Sequence, residues 1–170
     1  MGDGNLIAVS DAGPLIHLAE VNCLAFLDLF TRLHIPELVW SEIIRQPQIT
    51  NTDFTMVSNI QRHDLSRAAV AEFVAENRLK ELHSGEQECL CLGRQIGVSI
   101  LLTDDLAARE IAKRLGLRPL GSLGIVVRAY RLRRITLGDA EHKLVELYDK
   151  SSLFVTRAIV ELAIEQLHQR

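Results

Sequence analysis

Two short apolar runs, each closed by an acidic turn, constrain the fold of this chain more than any other feature. Leu6-Ile7-Ala8-Val9 runs into Ser10-Asp11-Ala12-Gly13-Pro14, and Ser99-Ile100-Leu101-Leu102 runs into Thr103-Asp104-Asp105. Apolar segments this short, rich in β-branched residues and ended by turn formers, read as strands buried on both faces. Between and after them the spacing turns helical. Leu15, Leu18 and Ala19 share one side of a helix whose first turn holds Pro14, where the missing N–H costs nothing. Strands alternating with helices imply an α/β fold with a mostly parallel sheet covered on both faces, a three-layer α/β/α arrangement.

The remaining elements follow the same signals. Cys23 to Phe30 reads as a helix, Leu33-His34-Ile35 as a strand, and Pro36 opens a helix with Val39, Ile43 and Ile44 inward. Gln46 to Ser58 reads as loop. Asp64 to Asn77 is helical by period. Ser84 is expected to cap the next helix, with Gln87 completing a capping box. Leu106 to Leu115 is a helix ended by Gly116, Arg118-Pro119-Leu120 is at best a short strand, and a helix follows from Gly121 to about Arg133. Two more helices lie near Asp139 to Tyr148 and Phe154 to Leu167. The chain has 170 residues, no repeat and no linker-like stretch, so residues 1–170 are expected to form one domain, with the helices of 139–170 packed on it or on a partner.

Composition excludes several classes. Hydrophobic residues are 48% and charged residues 24%, enough apolar surface to drive folding. The net charge is −3, which argues against a polybasic binder. No apolar run approaches a membrane span, no signal segment is visible, and three cysteines make no disulfide framework. A reducing cytoplasmic location is the expectation.

The acids carry the chemistry. Ligands of an open parallel sheet bind at the carboxyl ends of its strands. Asp11 and Asp104 each follow a strand, so both face one crevice if those strands are neighbours. Glu42, in the helix after Pro36, and Glu86, in the first turn after Ser84-Gly85, are placed to join them, and Asp105 adjoins Asp104. Each has an ordinary reading as well: an Asp ends strands as a turn residue, a Glu sits in helices as a solvated acid, and Asp105 suits a helix cap. Together, unit charges about 4 Å apart repel by about 4 kcal/mol at an effective dielectric near 20. A divalent cation relieves this, and oxygen donors without cysteine or clustered histidine suit Mg²⁺ or Mn²⁺ better than Zn²⁺. His17, His34 and His83 stand apart and read as structural or solvent-facing.

These pieces resemble a known family. Ser10-Asp11-Ala12-Gly13-Pro14-Leu15-Ile16 and Ile35-Pro36-Glu37-Leu38-Val39-Trp40-Ser41-Glu42-Ile43 are similar to the start of a PIN domain. Ser84-Gly85-Glu86-Gln87-Glu88, Leu102-Thr103-Asp104-Asp105-Leu106-Ala107-Ala108-Arg109 and Gly121-Ser122-Leu123-Gly124-Ile125 resemble a PIN-like subgroup in the same order. The resemblance implies the three-layer fold and a metal-dependent endoribonuclease, as in VapC-type toxins of toxin–antitoxin pairs, whose product carries a 5′-phosphate. It implies that Asp11, Glu42, Glu86 and Asp104 are the catalytic, metal-binding acids, with Asp105 a secondary ligand. RNA is the implied substrate, and an antitoxin or a second copy of the chain the implied protein partner. The alternative is a non-catalytic PIN-like protein that binds nucleic acid or a partner.

Substrate contacts are expected from a segment without acids. Ile111 to Gly138 holds Lys113, Arg114, Arg118, Arg128, Arg131, Arg133 and Arg134. Arg114, Arg128 and Arg131 are therefore candidates to track phosphates, although a solvated face is an equal reading. Arg109, one turn after Asp105, either grips a phosphate or pairs with Asp105, the latter being preferred. Ser10 and Thr103 are candidates to hold a bound water through their hydroxyls. Aromatic residues are only 5% of the chain, so no base-stacking surface is expected.

Overall fold

The computed structural model describes residues 6–47, 49 and 51–169, with the side chains of 51 and 52 left aside. Five strands form one sheet: β1 (Ile7–Ser10), β2 (Arg32–Pro36), β3 (Ile60–His63), β4 (Ile100–Leu102) and β5 (Arg118–Leu120). All neighbours are parallel and the order is β3-β2-β1-β4-β5. The chain moves outward from β1 through β2 to β3, then returns to the other side of β1 for β4 and β5. That reversal lies between β1 and β4, which pair with Ser10 opposite Leu102. A crevice therefore opens at the carboxyl ends of these two strands.

The helices are α1 (Ala12–Glu20), α2 (Glu37–Ile44), α3 (Arg67–Asn77), α4 (Ser84–Ile96), α5 (Leu106–Arg114), α6 (Ser122–Arg131), α7 (Leu137–Lys150) and α8 (Arg157–His168). α4 packs across β1, β2 and β4, and α3 packs on α4. α1, α6, α7 and α8 pack against one another, so the sheet is the middle layer of an α/β/α sandwich. Leu33, Ile35, Leu101 and Leu102 in the strands are at most 1% exposed, as are Leu15, Leu18, Leu90 and Leu92 in the helices. Each such side chain contributes about 1.5–3 kcal/mol by leaving water. Buried strands this short have no polar face, which is why β1 and β4 show no alternation.

Several elements differ from the sequence expectation. β3 lies where no strand is expected; its pattern, with Gln61 and Arg62 exposed, is that of an edge strand and lacks an apolar run. Cys23 to Phe30 forms a 3₁₀ turn over Leu24–Leu29 in place of an α-helix. The expected loop 46–58 contains a short 3₁₀ turn at Asn51–Phe54, and Gln48 and Thr50 lie outside the described residues. The cap of α4 is His83, one residue earlier than expected. Glu86 Oε2 accepts the His83 N–H at 2.9 Å, while the Gln87 amide turns back to the carbonyls of Leu79 and Leu82. α8 starts at Arg157 with Thr156 as its cap, leaving Phe154 in the connection. α7 and α8 pack on α6 and on each other, and Lys143 Nζ donates to the Val21 carbonyl at the end of α1. Among the described residues no helix is long and apolar enough to cross a membrane. Cys23, Cys89 and Cys91 are buried free thiols.

Candidate active site

Asp11 follows β1 directly, and its backbone N–H donates to the Leu102 carbonyl of β4 at 2.9 Å. This bond ties the ends of the two strands together and sets the carboxylate at the crevice. A cleft of about 460 Å³ opens there, lined by Asp11, Glu42, Glu86, Asp104 and Asp105 among others. The five acids singled out in the sequence thus share one cavity. Asp11 Oδ1 and Glu42 Oε2 both lie 3.7 Å from the point where a Cβ on Gly85 would stand. The absence of a side chain at Gly85 keeps the space between them open. A smaller cavity of about 180 Å³ at the opposite end of the sheet, lined by Phe73, Leu90, Leu115 and Leu117, has no carboxylate in its wall.

The charge state of the site reflects this crowding. Burial pushes the Asp11 carboxyl up to about 7, helped by the negative charges of Glu86, Glu42 and Asp105. Glu86, 7% exposed, is also raised, first by burial and then by Asp105, against the lowering effect of the His83 N–H. Both shifts have the sign expected of buried carboxylates with like charges beside them.

Asp104 and Asp105 do not play the same part. Asp104 Oδ1 accepts the backbone N–H of Ser122 at 2.7 Å, capping the start of α6. Its Oδ2 accepts the Ser122 hydroxyl at 2.5 Å and lies 2.7 Å from His17 Nδ1. Gly121 is required here: a Cβ would come within 2.6 Å of Asp104 Oδ1 and 3.0 Å of Arg109 Nη1. Asp105 caps α5 through the Ala108 N–H at 2.8 Å, is exposed, and bears on both Asp11 and Glu86. Although Ser122, His17 and Asp104 meet, they form no nucleophilic relay, because Ser122 bonds to the carboxylate and not to the imidazole.

The polar residues around the acids are committed to the fold. Thr103 is fully buried; its hydroxyl donates to Asp11 Oδ2 at 3.5 Å and accepts the Asp105 N–H at 3.3 Å. Ser10, also fully buried, donates to the Asp11 carbonyl. Cys89 Sγ lies behind the site, 3.4 Å from the Ser10 carbonyl, and burial keeps its thiol protonated. Arg109 differs from the preferred ion pair: its Nη1 donates to the Thr103 carbonyl at 3.1 Å, and no pair with Asp105 occurs among the described residues. Arg114 donates to the Asn77 carbonyl, bracing α5 against α3. Arg128 has a buried Nε without a hydrogen-bond partner among the described residues, and Arg131 is exposed. None of these four arginines lines the cleft.

His17 and His83, expected to be structural or solvent-facing, are bonded to Asp104 and exposed respectively, and both line the cleft wall together with Leu106 and Phe154, which the sequence did not single out. His17 was discoverable: it lies one turn after Gly13, and that helix face meets Asp104, with His17 Cε1 3.5 Å from a Cβ on Gly13. Phe154 had no such signal, because its position depends on where α7 ends.

The donor set fits a hard divalent ion. Among the described residues no three His, Cys, Asp or Glu side chains already stand close enough to enclose one. Mg²⁺ does not need an enclosing cage, since it keeps several waters and takes one or two carboxylates. The raised Asp11 and Glu86 mark where added positive charge would be most stabilising.

A comparison with curated proteins finds no match. A family model described as a PIN domain matches residues 7–169, which includes every strand and helix and all five acids. PIN domains are generally nucleases, and an all-parallel sheet with acids at its switch point agrees with that assignment. The chain belongs to the PIN-domain family.

Proposed function

We propose that the protein is a metal-dependent endoribonuclease hydrolysing RNA phosphodiester bonds. The observation that carries this reading is the convergence of Asp11, Glu42, Glu86 and Asp105 on one cleft, with the Asp11 carboxyl raised to about 7. Of these acids and Asp104, one or two carboxylates would bind Mg²⁺ or Mn²⁺ directly and the others through its waters. Asp104, the ligand implied by the sequence resemblance, lines the same cleft and also anchors the end of β4 to α1 and α6; its bonds to Ser122 and His17 orient the carboxylate and leave acceptor capacity for an ion or its water. An ion bound there would offset charge at the phosphate and lower the pKa of water. Asp11 and Glu86 would orient the attacking water and accept its proton through carboxylate oxygens, while the Thr103 hydroxyl holds Asp11 in place.

The reading extends to the toxin of a toxin–antitoxin pair in the cytoplasm, or a homodimer. It is supported by the exposed apolar side chains Val145 and Tyr148 of α7 and Ile159 and Leu162 of α8, on two helices that pack together, of the kind a protein partner covers. The test is cleavage of single-stranded RNA and DNA with Mg²⁺, Mn²⁺ or chelator, by the wild type and Asp11→Asn. RNA cleavage that needs the metal and is lost in the mutant is expected. Cleavage that survives chelator overturns the mechanism, and binding without cleavage favours the non-catalytic alternative.

A further inference from the structure

Phe154 is 99% exposed, yet it lines the same cleft as the carboxylates. Single exposed apolar residues are common on protein surfaces. This one differs in its location and in how firmly the segment before it is held. It sits in the connection between α7 and α8, beside Leu153, which is buried at 7% exposure. The Ser152 N–H and hydroxyl donate to Glu20 Oε2 at 2.7 and 3.0 Å, tying the connection to the end of α1. Ser151 Oγ bonds to the Leu147 carbonyl and accepts the Leu153 N–H at 3.2 Å. The ring thus follows directly on an anchored segment, Ser151 to Leu153, at the rim of the cleft. Leu106, 78% exposed and next to Asp105, is a second apolar residue in the same wall.

The wall also lacks something a nucleic-acid cleft ordinarily has. No Lys or Arg is among its described lining residues, and the five carboxylates, which repel phosphates, outnumber the two histidines, His17 and His83. Affinity for a polyanion here needs a source other than ion pairing with the protein. An aromatic face offers one, because every base has a π-surface and stacking is indifferent to phosphate charge.

We propose that Phe154 is the stacking platform for an unpaired nucleobase of the substrate strand, next to the scissile phosphate. This rests on the nuclease reading above. A base within a duplex is already stacked on its neighbours and does not reach such a ring without being extruded. A face that is at once beside the acids and next to the segment held by Glu20 suits an extended strand better than a protein surface, whose contacts favour the exposed apolar side chains of α7 and α8.

The test is binding of a single-stranded oligoribonucleotide carrying 2-aminopurine, in Ca²⁺, to the full chain and to Phe154→Ala and Phe154→Trp. Phe154→Ala is expected to weaken binding roughly five- to hundredfold and to abolish the stacking-induced fluorescence change, with Phe154→Trp restoring both. A duplex, or the same strand with abasic sites, is expected to bind weakly and without sensitivity to Phe154→Ala. Equal affinity of wild type and Phe154→Ala overturns the proposal, as does an equal penalty on the abasic strand. Cleavage in Mg²⁺ separates the two readings. A wild type that cleaves RNA alongside a Phe154→Ala protein of unchanged KM refutes the stacking role and leaves the nuclease intact. A wild type that neither binds nor cleaves RNA refutes both. If Phe154→Ala alters only the association state of the protein, the ring is a protein contact and the proposal fails.

Discussion

Asp104 and Asp105 are neighbours in sequence and serve different structures: Asp104 is bonded to His17 and Ser122, while Asp105 caps α5 and adds its charge to Asp11 and Glu86. The two isosteric amides therefore separate their roles. Asp104→Asn removes charge-assisted bonds to Ser122 and His17 and is expected to destabilise by about 1–3 kcal/mol, a melting temperature lower by several degrees. Asp105→Asn keeps an equivalent cap and relieves repulsion, so its metal-free protein should melt at or above the wild-type temperature. Thermal melts in chelator check this; equal losses in both variants would contradict the division of labour.

The raised Asp11 carboxyl predicts a pH dependence. Its folded value of about 7 lies above the ordinary 3.8, so the folded state binds the proton more tightly than the unfolded state. The stability this contributes is complete below about 3.8 and is lost as the pH rises through 7. Glu86, also raised, acts in the same direction. Asp11→Asn mimics the protonated form, so its stability relative to wild type should grow between pH 4 and pH 7 and then level off. Denaturant melts in chelator across that range measure the difference; a difference independent of pH would contradict the assignment.

Metal addition should reverse the same repulsion. Mg²⁺ is expected to raise the melting temperature more at pH 8 than at pH 5, because at pH 5 a proton occupies Asp11, and the raised Glu86 carboxyl acts in the same direction. At a hundred times its Kd an ion binding only the folded state adds about 2.7 kcal/mol. Calorimetry with and without Mg²⁺ checks this, and Asp11→Asn should remove most of the shift.

Gly121→Ala should damage the site from behind. Its methyl group would stand 2.6 Å from Asp104 Oδ1 and 3.0 Å from Arg109 Nη1, both fixed by hydrogen bonds. A cost of about 1–3 kcal/mol follows from such overpacking, with activity falling as the Asp104 anchor shifts. An unchanged melting temperature and activity would show that the anchor is dispensable.

Much of this architecture was legible in the sequence, for physical reasons. β1 and β4 are buried on both faces and announce themselves as apolar runs, and their acidic turns marked the crevice before any coordinates. Glu42 and Glu86 were found through helix position and family resemblance together. β3 escaped because an edge strand needs no apolar run. The helix cap of Asp105 was legible, whereas the bonds of Asp104 were not, because they depend on Ser122 and His17, which are remote in sequence and arrive only through the packing of α6 and α1. Arg109 was assigned to Asp105 by helical spacing, but the Thr103 carbonyl at the end of β4 competes for it. Phe154 was missed because aromatic content describes the whole chain and says nothing about where one ring is displayed.

The central claim is that Asp11, with Glu42, Glu86, Asp104 and Asp105 around it, holds a divalent ion in this cleft. Anomalous diffraction from crystals grown with Mn²⁺ tests it most directly. The account predicts an ion beside Asp11 at the ends of β1 and β4, with the Asp104 bonds to Ser122 intact. No ion in the cleft, or an ion located away from Asp11, would contradict it.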